Sequence, residues 1–199
     1  MAYTGNAARV SPGEATVRYI IDGKGSTFVV QASSTGLLSA FGHAPSLAVR
    51  DFQGELDFTP GAPNFDDARL RLRFRSDSLE VVNDISEKDR DEIERRAHNE
   101  VLESDRYPDI AYQALRVTGS GNGERYWVTV DGELTLHGVT RSVPVTARVL
   151  LKGDSLRASG ELSLRQSDFG ITPVTAAAGA IRLKDGLKCT FDVVARKQA

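Results

Sequence analysis

Side chains able to do covalent or metal chemistry are few and scattered. The chain has one cysteine, Cys189, and three histidines, His43, His98 and His137. The histidines lie far apart and lack the spacing of metal ligands. Cys189 sits within Leu187-x-Cys189-x-Phe191-x-Val193, where a thiol reads as a small buried hydrophobe rather than a nucleophile. No G-x-S-x-G elbow, H-E-x-x-H helix or P-loop is present. The expectation is a non-enzyme with no catalytic residues, no metal and no cofactor. Arg165, three residues before Asp168, has two readings. It either pairs with Asp168 to order a turn, or meets a pyrophosphate through its planar fork.

What the chain has in quantity is alternation. Val17, Tyr19 and Ile21 alternate before the turn Asp22-Gly-Lys-Gly25, and Phe28, Val30 and Ala32 continue on a second strand. Phe52, Gly54, Leu56 and Phe58 share a face that ends at Pro60-Gly-Ala-Pro63. Leu70, Leu72 and Phe74 alternate with Arg69, Arg71, Arg73 and Arg75, which predicts an inward apolar face and a wet arginine face. That arginine row also allows peripheral contact with anionic lipid head groups. Ile110 with Tyr112, Leu115 with Val117, and later runs through Leu156–Leu164 and Leu187–Val193 complete the strands.

One segment breaks the two-residue period. Glu87 to Asp105 is dense in charge, with Ile93, Ala97 and Val101 on one stripe and Ser86 placed to cap Asp89. The principal helix is therefore expected over Ser86 to Ser104. Its narrow apolar stripe predicts a surface position or a cover over a barrel opening. Tyr107-Pro108 stops it.

Gly132-Glu-Leu-Thr-Leu-His-Gly-Val-Thr-Arg141 is the most specific stretch. Leu134 and Leu136 alternate, Gly138 supplies the positive φ of a tight reversal, and Val143, Val145, Ala147 and Val149 fold back. Asp131-Gly132 alone would read as a hairpin turn. Yet Tyr126, Val128 and Val130 keep the parity of Leu134 and Leu136, so one long strand is expected, with Gly132 on its inner face leaving space inside.

These words, together with Arg90-Asp91, Val101-Leu102 through Tyr107-Pro108-Asp-Ile110, and Arg165-Gln-Ser-Asp168-Phe-Gly-Ile171, resemble the YceI-like proteins over most of the chain. The resemblance implies an all-β fold: an extended antiparallel lipocalin-like barrel of about eight strands with one main α-helix. It further implies a lumen holding a long isoprenoid lipid, a polyprenyl phosphate or quinone, for carriage or sequestration rather than catalysis. The lumen residues expected are Phe28, Val30, Phe41, Phe52, Leu70, Leu72, Phe74, Ile110, Tyr112, Val128, Val130, Gly132, Leu134 and Leu136. His43, in the turn where relatives carry histidine, joins Arg165 as a head-group candidate. Ala44-Pro45 follows it here, where a further polar residue and a second histidine stand in many relatives. The alternative is a stress-response or scaffold module with a packed core and no ligand; cavity volume separates the two.

Composition sets the outer limits. The 199 residues suit one domain, expected as a flexible tail over residues 1–15 and the barrel over 16–199. A net charge of −2 argues against a nucleic-acid partner. No run approaches the roughly 20 apolar residues of a spanning helix. Met1 to Glu14 lacks the apolar core of a signal peptide, so the expectation is cytoplasmic, or periplasmic if a signal was removed. Exposed edge strands leave room for a homodimer.

Overall fold

The computed structural model describes residues 15–36, 45–60, 64–176 and 181–198. Residues 1–14 of the tail expected over 1–15, the turn residues 61–63, and both Phe41 and His43 lie outside the described residues. Among the described residues thirteen strands follow in chain order: β1 (Val17–Ile21), β2 (Thr27–Gly36), β3 (Ser46–Val49), β4 (Phe52–Phe58), β5 (Arg69–Arg75), β6 (Leu79–Val81), β7 (Asp109–Asn122), β8 (Arg125–Leu136), β9 (Val139–Ser142), β10 (Val145–Lys152), β11 (Ser155–Arg165), β12 (Thr175–Ala176) and β13 (Ile181–Lys197). The helix α1 (Glu87–Arg96) lies between β6 and β7.

All pairings are antiparallel, and eight strands close a ring. The order β1-β4-β5-β7-β8-β10-β11-β13 returns to β1 through Tyr19 opposite Lys197 and Ile21 opposite Ala195. The long strand through Gly132 is present as β8. Its hairpin turn puts both His137 (φ 52°) and Gly138 (φ 73°) in the left-handed region, as the twist of a two-residue hairpin demands. The returning chain keeps one register along β8, from Glu133 opposite Ser142 to Val130 opposite Val145. Pro144, which has no N–H to donate, interrupts it, while the Val143 amide still donates to Gly132 O at 2.8 Å.

Three wall strands are bent rather than straight. β1 gives way to β2 along the same edge of β13, where Ser26 Oγ accepts from the Val194 amide at 2.9 Å and donates to its carbonyl at 3.2 Å. β3 passes into β4 at Arg50-Asp51, and β5 into β6 through a 3-10 turn at Ser76–Ser78. Backbone bonds from Arg50 N to Ser78 O and from Arg75 N to Asp51 O carry the ladder across both bends.

Beyond Arg75 the wall parts. β5 pairs with β7, but β6 turns away, leaving its outer edge without a strand neighbour among the described residues. An exposed edge offers unpaired backbone groups, and α1 covers this one. The Glu94 carboxylate accepts the Val81 N–H at 2.8 Å, and His98 Nε2 lies 2.9 Å from Leu79 O. Since a carbonyl only accepts, that ring nitrogen carries the proton. Ser86 caps the helix as expected, accepting from Asp89 N at 3.1 Å. Instead of running helically to Ser104, the chain widens into a π-turn at Ala97–Val101, with Leu102 N donating to Ala97 O.

The Leu70, Leu72 and Phe74 face points inward and its arginines face out, three of them meeting carboxylates: Arg71 with Glu55, Arg73 with Asp109 and Arg75 with Asp77. One alternation fails. β7 carries a bulge between Ala114 and Arg116, so Leu115 does not share the face of Val117; it is 61% exposed, while Val117 is buried.

Candidate functional site

The barrel wall and the inner face of α1 enclose a cavity of about 840 Å³. Close-packed interiors leave few voids larger than a water molecule, so this space is not residual packing error. Its size falls in the roughly 300–1,000 Å³ range of small-molecule sites. The lining is almost wholly apolar. At the end remote from α1, Phe65 meets Tyr126 edge to face at 5.9 Å, and Phe58 stacks on Tyr19 at 5.3 Å. Nearer the helix, Phe28 lines the cavity and receives Phe52 and Phe74 edge-on, each at 4.8 Å.

Eleven of the fourteen residues expected in the lumen line this space: Phe28, Val30, Leu70, Leu72, Phe74, Ile110, Tyr112, Val128, Val130, Leu134 and Leu136. Phe41 lies outside the described residues. Phe52 is not at the surface of the cavity but packs behind Phe28 and Phe74. Gly132 also requires correction, because it leaves no room for a ligand. Tyr112 already occupies that room. A β-carbon at Gly132 would press against the Tyr112 hydroxyl, lie 2.5 Å from its Cζ and sit 2.8 Å from Gln113 O. The buried phenol donates to Val143 O at 3.0 Å and Val130 O at 3.2 Å, which holds the ring across the glycine. Burial, then the charge of Asp131, pushes its pKa up to about 12.

Of the two head-group candidates, Arg165 lies among the described residues. Arg165 is not a lining residue and its partner is not Asp168. Its Nε donates to Asp185 at 3.1 Å, and Asp185 also accepts from the Ser167 hydroxyl and amide at 2.6 and 2.7 Å. These bonds hold the Asp185 carboxyl below the usual range, those from Ser167 first. The same turn buries Phe169 and Ile171 beside Gly170, whose φ of 72° favours glycine. His43 lies outside the described residues. His137 meets the Tyr107 ring at 4.4 Å with the planes tilted by 55°, whereas His98 lies on the β6 edge with a different partner. Cys189 does face the cavity, and burial pushes its thiol up to about 11.

Several lining residues escaped sequence reasoning. Val145, Ala147 and Val149 on β10, and Leu162 and Leu164 on β11, lie on alternating faces already visible in the sequence, but nothing local told a lumen from a packed core. The helix and its π-turn add Ile93, Ala97 and Val101, and the helix a polar rim of Asp89, Glu92 and Arg96. Those three stand at i, i+3 and i+7, the same face as Ile93. Glu92 is held ionised below its ordinary range chiefly by Arg95, whose guanidinium donates to it at 3.0 Å. Arg96 donates to Glu100 at 3.0 Å and to Thr175 O at 3.3 Å.

A barrel with this closure, one covering helix and an apolar lumen has known counterparts. The model of the YceI-like domain matches residues 19–195. The chain belongs to the YceI-like family. Among relatives of this YceI-like protein, a UPF0312 protein of Vibrio campbellii is 26% identical over 175 residues, covering 83% of each chain. A UPF0312 protein of Pseudomonas fluorescens is 29% identical over 129 residues, covering 61% of each. In fold it is similar to a polyisoprenoid binding domain from Saccharophagus degradans, with a TM-score of 0.66 at 14% identity over 92% of this chain and 99% of that one. Burkholderia cenocepacia BcnA superposes with a TM-score of 0.65 at 18% identity, covering 87% and 98%.

Proposed function

We propose that this YceI-like protein binds a long isoprenoid lipid non-enzymatically, with the tail laid along the lumen, and serves to carry or sequester it. The observation that carries this is the 840 Å³ apolar cavity running from the Phe65–Tyr126 end to the inner face of α1. The fold shared with a polyisoprenoid binding domain supports the same conclusion. Burying a prenyl tail there gains roughly 25 cal/mol per Å² of apolar surface removed from water. A thiol raised to about 11 disfavours a thiolate, which speaks against Cys189 as a nucleophile. A scaffold with a solid core is the less favoured alternative, because a packed interior would have filled this volume.

Native mass spectrometry of protein expressed in a polyprenoid-rich host, with extraction of what is bound, tests the proposal. A co-purifying isoprenoid and saturable rebinding of it are expected. Protein that arrives lipid-free and shows no saturable binding of quinones, prenyl alcohols or prenyl phosphates refutes it.

A further inference from the structure

The charges around the cavity discriminate among head groups. Among the described residues that line it, the ionisable side chains other than Tyr112, Tyr126 and Cys189 are Asp89, Glu92 and Arg96, all on α1. Glu92 and Arg96 keep part of their surface in water, so this face of the helix forms the rim where the cavity meets solvent. Arg96 is committed twice, to the Glu100 carboxylate and to the Thr175 carbonyl. Asp89 carries its charge at the capped end of the helix, where its carboxylate accepts a hydrogen bond from the Ser86 hydroxyl at 2.7 Å. The helix and π-turn as a whole bear six carboxylates, Glu87, Asp89, Asp91, Glu92, Glu94 and Glu100, against four cations, Lys88, Arg90, Arg95 and Arg96.

Among the described residues the one lining cation is therefore already paired, and Tyr112, Tyr126 and Gln166 have partners, the Tyr126 hydroxyl donating to Gly123 O at 2.7 Å. The Tyr112 phenol donates to two carbonyls, and the Gln166 amide donates to Lys184 O at 3.0 Å and Asp185 O at 3.4 Å. An anion drawn inside would lose its hydration without a compensating charge, which is strongly unfavourable. One left at the rim would face Asp89 and Glu92 together with Arg95 and Arg96, which pair with Glu92 and Glu100, so the excess of six carboxylates over four cations on the helix and π-turn sets the sign of the local charge.

Given the lipid-binding function proposed above, we infer that the ligand has a neutral head, such as a prenyl alcohol or isoprenoid quinone, and that Asp89 and Glu92 on the rim select against prenyl phosphates and diphosphates. These two carboxylates act by exclusion. They add nothing to the affinity for the neutral lipid, which comes from the tail.

A matched pair of probes isolates the head group: geranylgeraniol and geranylgeranyl phosphate share one tail. Binding of each to the purified full chain is measured by displacement of a fluorescent fatty probe at neutral pH and low salt. The alcohol is expected to bind at least about tenfold more tightly than the phosphate. In the double variant Asp89→Asn, Glu92→Gln the gap should narrow, with phosphate binding strengthened more than alcohol binding. Added salt should narrow it in the wild type as well. Phosphate binding equal to or tighter than alcohol binding in the wild type overturns the inference while leaving lipid binding intact. A gap that the double variant leaves unaltered overturns the roles of Asp89 and Glu92. Saturable binding of neither probe, nor of a quinone with the same tail, refutes lipid binding itself.

Discussion

Gly132→Ala is the substitution whose cost the geometry specifies most closely. Ala114 lies opposite Gly132 across the β7–β8 ladder, and Tyr112, two residues before Ala114, reaches diagonally over the glycine. The added methyl would press against the phenol oxygen and stand 2.5 Å from Cζ and 2.8 Å from Gln113 O. The backbone oxygen cannot move without disturbing the ladder, so the ring must. Swinging it away breaks the bonds to Val143 O and Val130 O, and a buried hydroxyl without a partner costs about 1–3 kcal/mol. Overpacking adds about 1–3 kcal/mol, at the low end here because the ring has the cavity to move into. A total of about 2–4 kcal/mol follows from these two terms, which for a chain of this size lowers Tm by about 4–16 °C. Chemical denaturation of wild type, Gly132→Ala, Tyr112→Ala and the double variant forms the assay. The double variant should be markedly less destabilised than the sum of the singles, because alanine at 112 leaves nothing for the new methyl to strike. A Gly132→Ala protein within about 0.5 kcal/mol of wild type, or strictly additive singles, would refute the assignment of Tyr112 as the group that fills the glycine.

Two further outcomes are expected. Glu94→Ala should strip the Val81 N–H of its acceptor on the free edge of β6, at a cost of about 1–3 kcal/mol and with faster exchange of that amide, whereas Glu94→Gln keeps an acceptor and should lose less; unchanged Val81 protection in the alanine variant counts against the helix as the cover of this edge. Stability should also fall on the alkaline side. Cys189 and Tyr112 ionise at about 11 and about 12 in the folded chain but near 9.0 and 10.0 when unfolded, so the unfolded state sheds protons first and the contribution present below pH 9 is lost as pH rises toward those folded values. Urea midpoints measured from pH 8 to 11 check this, with Cys189→Ala delaying the onset; a flat profile contradicts the burial of both groups.

The local features of this barrel are written in the chain because they depend on near neighbours. Side-chain parity every two residues placed Leu70, Leu72 and Phe74 inside and Arg69 through Arg75 outside, and the same parity carried β8 straight through Asp131-Gly132 against the usual turn signal. The Ser86 cap and the His137-Gly138 reversal are likewise set within a few residues. What needed the tertiary structure were relations between strands distant in sequence. Gly132 announces a missing side chain, yet only the pairing of β7 with β8 shows that Tyr112 takes the space. Arg165 carries no mark that its partner is Asp185, twenty residues on and across the β11–β13 ladder, rather than the nearby Asp168. Leu115 leaves its expected face because a bulge adds one residue on one strand only, a mismatch defined by two strands together. The cavity is the furthest from local control. An alternating apolar face is identical whether the space beyond it is filled or empty, and the volume is decided only by how eight strands close and by where α1 lies across the parted wall.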